Sequence, residues 1–120
     1  MEKLYDLSRL EKTVGSEKDL SLHIQNFLNT SLDKDISQLY RSFLQEKKYD
    51  TAKMANKLKF SLYMYGVHSI QKDIEQVEEL SLSSAKFDQI GPLLENIKKH
   101  LRMVKNQIIT DYKMLITLID

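Results

Sequence analysis

The chain has 120 residues, 42% apolar and 29% charged, with a formal net charge of +1. That is enough chain for one core burying about 65% of the unfolded surface, and the composition is that of a globular protein and argues against disorder. The near-zero net charge gives the whole molecule no strong field to steer nucleic acid or a membrane. With no Cys, disulfides, thiolate chemistry and Cys-ligated zinc are excluded, and the 13-residue uncharged run Leu20 to Leu32 is too short and too polar to span a bilayer.

Three Gly and one Pro suit long helices with few connections rather than hairpins. The N-terminus carries charges every few residues and lacks the apolar stretch of a signal peptide, so a cytoplasmic location is expected. Leu7, Leu10 and Val14 predict a short first helix, stopped by Gly15 in a left-handed cap. Ser16 is the expected N-cap of the next helix, with Glu17 and Asp19 near its positive end.

From Glu17 to about Lys47, Leu20, Ile24, Phe27, Leu28, Leu32, Ile36, Leu39 and Phe43 keep a helical spacing. The weak point is Asn29-Thr30-Ser31, where β-branching and side-chain competition favour a kink. A third helix is predicted over Asp50–Tyr65, with Met54, Leu58, Leu62 and Tyr65 inward, and Gly66 ends it. A fourth, Val67–Leu80, turns Ile70, Ile74 and Val77 inward. After the turn Ser81 to Ser84, Phe87, Ile90, Leu94, Ile97, Leu101, Val104, Ile108, Leu115 and Leu118 keep a near-heptad spacing. Gly91-Pro92 is expected to bend its start.

The second and fifth helices, at ~45 Å each, outreach the third and fourth, so the short first helix is the expected cover for their projecting ends. No repeat or linker divides the chain, so residues 1–120 are expected to form one all-α domain.

The stretch Ala55-Asn56-Lys57-Leu58-Lys59-Phe60-Ser61, with Gly66 ten residues after Asn56, resembles the signature of histidine-containing phosphotransfer (HPt) domains, Ala-His-x-Leu-Lys-Gly/Ser/Pro-Ser followed by a helix-ending Gly. The resemblance covers nearly the whole chain. Tyr5 to Ser16 looks like the family's covering helix, Phe27-Leu28 lies in its long second helix, and Ile74-Glu75 and Val77-Glu78 look like the helix after the Gly. It implies an antiparallel up-down-up-down four-helix bundle with a short N-terminal covering helix. It also implies a response-regulator receiver domain or a histidine kinase as partner.

Two departures bear on function. Asn56 stands where the phosphoryl-accepting His would be, and an amide lacks the nucleophilic lone pair of imidazole. Phe60 stands where the family has a small residue that lets the partner's aspartate approach, while Lys59, beside the phosphoryl group in the family, is kept. The resemblance therefore implies a non-catalytic, pseudo-phosphotransfer module, not an enzyme, that docks without carrying phosphate. Two alternatives stay open: a true phosphocarrier whose His is replaced in this chain, and a helical structural or oligomerisation module.

On a helical wheel Ala52, Lys53, Asn56, Lys59, Phe60 and Tyr63 fall opposite Leu58 and Tyr65. Aromatic residues among lysines read as a docking patch, and Lys53, Asn56, Lys59, Phe60 and Tyr63 are the candidate partner-binding residues. The competing reading buries this helix on a wider arc.

His23, His68 and His100 fall on three predicted helices without metal-ligand spacing. Lys98, Lys99, Arg102 and Lys105 form a basic stretch that Asp73, Glu75, Glu78 and Glu79 of the preceding helix are placed to offset, which favours a solvated, partly ion-paired face over nucleic acid. There is no phosphate loop, no His-Glu-x-x-His helix and no nucleophile–base pair, and a monomer without cofactor or metal is expected.

Overall fold

The computed structural model describes residues 3–83 and 86–113. Among them the chain is 81% helical and contains no strand. The elements are α1 (Ser8–Thr13), α2 (Glu17–Asn26), a π-helical segment (Phe27–Asp35), α3 (Ile36–Leu44), α4 (Lys48–Met64), α5 (Gln71–Ser81), a 3₁₀ turn (Phe87–Gln89) and α6 (Ile90–Asp111).

α1 does not end as expected. Val14 is already extended, at φ −90° and ψ 149°, so Gly15 has no left-handed role to fill. Ser16 does cap α2, its hydroxyl accepting from the Asp19 amide at 3.2 Å, with Glu17 and Asp19 in the first turn.

The predicted second helix is continuous from Glu17 to Leu44, but its middle is wider than an α-helix. The predicted weak point, Asn29 to Ser31, lies inside the π segment. The wider turn re-phases the apolar positions, so that Ile24 before it, Phe27, Leu28 and Leu32 within it, and Ile36 and Leu39 after it are all buried. It also carries Asp35 inside.

The helix stops at Leu44, three residues earlier than the expected Lys47, through a Schellman turn. The Lys47 amide donates to the Ser42 carbonyl at 3.0 Å and the Glu46 amide to that of Phe43 at 2.9 Å, with Glu46 left-handed at φ 56°.

α4 closes with the same motif built on the expected glycine. Gly66 has φ 67°, its amide donates to the Tyr63 carbonyl at 3.1 Å, and the Val67 amide donates to that of Leu62 at 2.8 Å. The N-terminal segment lies against this turn, with the Asp6 amide donating to the Tyr65 carbonyl at 3.1 Å. A Cβ at Gly66 would sit 2.3 Å from the Asp6 carbonyl oxygen. Leu4 reaches the other way, its amide donating to Gln107 Oε1 at 2.8 Å, and Tyr5 bonds to Asp111. Tyr5, Leu7 and Leu10 are buried, so this segment joins the ends of α4 and α6.

α5 starts at Gln71 rather than Val67, because the Schellman turn carries the chain out of helical geometry. Val67 and Ile70 are nevertheless fully buried in the connection. The Ser81 to Ser84 turn falls partly outside the described residues, as do Leu115 and Leu118 wholly.

In α6, Pro92 is the third residue, where an amide has no intrahelical partner, so the expected loss of a hydrogen bond does not arise. The inward positions Ile90, Leu94, Ile97, Leu101, Val104 and Ile108 are all buried.

Packing closes a ring. α3 contacts α4, α4 contacts α5, α5 contacts α6, and α6 returns to α3, with the π segment touching both α4 and α6. Phe27 stacks on Tyr65 at 3.8 Å between centroids, and the Tyr65 hydroxyl donates to the His23 carbonyl at 2.9 Å. At the other end Phe43 stacks on Phe87 at 5.4 Å. No helix of the described residues is long and apolar enough to cross a membrane.

Candidate functional site on the outer face of α4

α4 buries Thr51, Ala55, Leu58 and Leu62, one residue per turn towards the ring. That register leaves Lys53, Asn56, Lys59, Phe60 and Tyr63 on the outer side. Phe60 is 66% exposed and Tyr63 49%, so the aromatic pair faces solvent and the wider-arc reading does not hold for it. Lys53 is exposed, whereas Asn56 and Lys59 are half-buried against α5.

The half-burial has a specific cause. Glu78, on α5, accepts from the Asn56 amide at 2.6 Å through one carboxylate oxygen and from the Lys59 ammonium at 2.9 Å through the other. The Lys59 hydrogen bond, followed by that of Asn56, holds the Glu78 carboxyl below its ordinary range against the upward pull of partial burial. Lys59 is therefore not a free cation beside Asn56 but half of an ion pair.

Tyr63 is also engaged. The Arg9 guanidinium lies 4.2 Å from its ring centroid, a cation–π contact delivered from α1, and His68 meets its edge at 6.4 Å. Met64, next to it, is exposed. The result is an apolar strip of Phe60, Tyr63 and Met64 with cations at both ends, Lys53 on one side and Arg9 on the other.

Sequence reading placed the five outer residues on one face, and the structure brings them together there. It missed Glu78 as the residue that ties Asn56 to Lys59, and it missed Arg9. Glu78 had been set against the basic stretch of α6, but no local spacing signals a contact between α4 and α5. The α6 cations find other neighbours: Lys105 pairs with Asp33 at 2.9 Å, and Lys98 lies 5.2 Å from the Tyr40 ring centroid. Asp73, for its part, accepts from Asn96.

Of the histidines, His68 lies in the connection after α4 rather than on a helix. Among the described residues no three His, Cys, Asp or Glu side chains gather as a metal would require. On the α4 face itself, the Asn56 amide donates to Glu78 and offers no nucleophile, and Lys59 is paired with the same carboxylate. Comparison with family models, curated proteins and solved structures found no match.

Proposed function

We propose that the chain is a non-catalytic, HPt-like module of a two-component phosphorelay. It binds a receiver domain or a histidine kinase through the outer face of α4 without carrying phosphate. The observation that carries this reading is the position of Asn56. It sits at the centre of an exposed aromatic and cationic face, at the place the HPt-like motif reserves for the accepting histidine, with its amide engaged by Glu78.

On this reading the ring of α3, α4, α5 and α6 is an antiparallel up-down-up-down four-helix bundle. The segment around α1 is its short cover, and residues 1–120 act as one cytoplasmic, monomeric domain. Phe60 and Tyr63 supply apolar anchors, since exposed aromatics flanked by cations are the usual core of a docking patch. Lys53 speeds encounter with an acidic partner surface.

The test is direct. The purified chain is titrated against the receiver and kinase domains of its host, with an active phosphotransfer protein as competitor. Saturable binding to at least one, displaced by the competitor, is expected. Absence of binding to every such domain would end the phosphorelay reading.

A further inference from the structure

The basic stretch of α6 is not absorbed by the proposed function, and the structure gives it a setting the sequence did not. The groove between α3 and α6 holds two adjoining hollows of about 410 and 390 Å³, which share Ile36, Ser37 and Lys98. Its floor is apolar, with Ile36 and Leu101 buried and Tyr40 half-buried. Its rim is cationic, with Arg41, Lys98 and Arg102 all exposed.

The carboxylates at this groove are already engaged. Asp33 is held by Lys105, and Glu95 accepts from the Tyr40 hydroxyl. Among the described residues Arg41, Lys98 and Arg102 have no carboxylate within ion-pair reach. At one end Leu44 stands 72% exposed. The groove shares neither of its helices with the Asn56–Glu78 pair on α4 and α5.

We propose that the α3–α6 groove is a second docking surface, and that its occupant is an acidic amphipathic helix of a partner protein. Charge complementarity sets the sign: a cationic rim over an apolar floor suits a helix with one apolar stripe flanked by Glu or Asp. Length sets the size. Leu32 to Leu44 spans about 18 Å, which fits roughly three turns of helix.

Nucleic acid is the poorer match, because phosphate contacts need no apolar floor and the net charge is only +1. A second copy of this chain is also a poorer match. Two copies meeting groove to groove would bring the exposed Arg41, Lys98 and Arg102 of each against like charges.

The probe is a fluorescein-labelled helical peptide of about four turns, with Leu on one stripe and Glu elsewhere. It is compared with the same peptide carrying Lys for Glu, and with a single-stranded oligonucleotide. The Glu peptide is expected to bind at least roughly tenfold tighter than the Lys peptide. Amide shifts in the labelled full chain should concentrate in residues 32–45 and 98–105.

Lys98→Glu combined with Arg102→Glu should weaken binding by more than roughly tenfold with the circular dichroism spectrum unchanged. Leu44→Ser, at an exposed site, should weaken it about threefold at constant charge, which bare electrostatic attraction would not do. Phe60→Ala should leave it unchanged, so failure here and failure of the α4 reading are separate results. Equal affinity for the two peptides, tighter binding of the oligonucleotide, shifts centred on α4, or charge-dependent self-association would each overturn the proposal.

Discussion

Asn56 and Glu78, on adjacent helices, are joined by a 2.6 Å hydrogen bond, and the second oxygen of the same carboxylate holds Lys59. The pair fixes the centre of the α4 face to α5, and it makes that link dependent on pH. Glu78 has its carboxyl held below the ordinary value of 4.5, so its contribution to stability is present above that pH and is lost as pH falls through the depressed folded value. Both side chains are about a quarter exposed, so the ion pair is worth about 1 kcal/mol or less. Urea unfolding of Glu78→Gln should therefore show a small deficit against the parent, constant between neutral pH and about pH 5 and vanishing in stronger acid. A deficit that grew on acidification would contradict the assigned direction.

Phosphoryl transfer is expected to be absent. Mixed with a phosphorylated receiver domain, the chain should stay unlabelled, since Asn56 has no nucleophile. Asn56→His alone is a weak test because Phe60, one turn on, is a large residue where the HPt-like motif has a small one. Asn56→His with Phe60→Gly removes that obstacle at a helix cost of about 1 kcal/mol. In this variant an imidazole N–H can be taken by Glu78, leaving the other ring nitrogen as nucleophile. Acid-labile labelling of the double variant, but not of the parent, is the expected pattern. Labelling of the parent at any histidine would sink the pseudo-carrier reading.

Binding through the face should rest on Phe60 more than on Lys53. Phe60→Ala is expected to weaken receiver binding by more than roughly tenfold, or about 1.4 kcal/mol. At 66% exposure its unfolding free energy should shift by no more than about 0.5 kcal/mol. Lys53→Ala should have a smaller effect that disappears at high salt. Titration calorimetry together with thermal melts separates these outcomes. A large drop in melting temperature for Phe60→Ala would mark it as core.

Much of the fold was legible because periodicity reports burial. Leu58 and Leu62 inward with Phe60 and Tyr63 outward follows from 3.6 residues per turn and little else. The same reading failed where backbone geometry departs from that period. The weak point at Asn29 to Ser31 was visible, but not that the helix would widen there and bring Asp35 inside. Val67 and Ile70 kept the spacing of a helix, yet the Schellman turn at Gly66 holds them in a connection that is equally buried. The candidate face was legible as a stripe. Glu78 and Arg9 were not, because both reach it from other helices and no local pattern encodes which helices meet.

Gly66 should tolerate no side chain. Its φ of 67° already disfavours any L residue, and an added Cβ would lie 2.3 to 2.7 Å from Asp6 backbone and side-chain atoms. Backbone cannot step aside as a flexible side chain would, because the Asp6 amide is tied to the Tyr65 carbonyl. Gly66→Ala is expected to cost about 2–4 kcal/mol and to lower the melting temperature by roughly 10 °C. Gly15→Ala, at a position without positive φ and with Asp19 Oδ2 3.8 Å from the added Cβ, should be close to neutral. Equal effects at the two glycines would refute this account of the turn.

Asp35 supplies the last expectation. It is only 1% exposed at the end of the π segment, and its Oδ1 makes no hydrogen bond. Its described charge partner is Lys57 on α4, whose ammonium lies 3.4 Å from that oxygen while the lysine side chain is 58% exposed. Such a pair is asymmetric. The carboxylate bears the desolvation cost, whereas the ammonium keeps much of its water. Removing the lysine therefore leaves a buried charge without compensation, and Lys57→Ala should destabilise the chain by about 1–2 kcal/mol, below the range for fully buried pairs. Asp35→Leu removes the charge itself and fills a site surrounded by core, so it should be neutral or stabilising. In the double variant the cost of Lys57→Ala should vanish, giving a coupling of about 1 kcal/mol or more in urea unfolding. Additive effects would mean that Asp35 and Lys57 are neighbours without energetic connection. Destabilisation by Asp35→Leu alone would instead make the buried carboxylate a requirement of the π segment, holding its wider turn against α4.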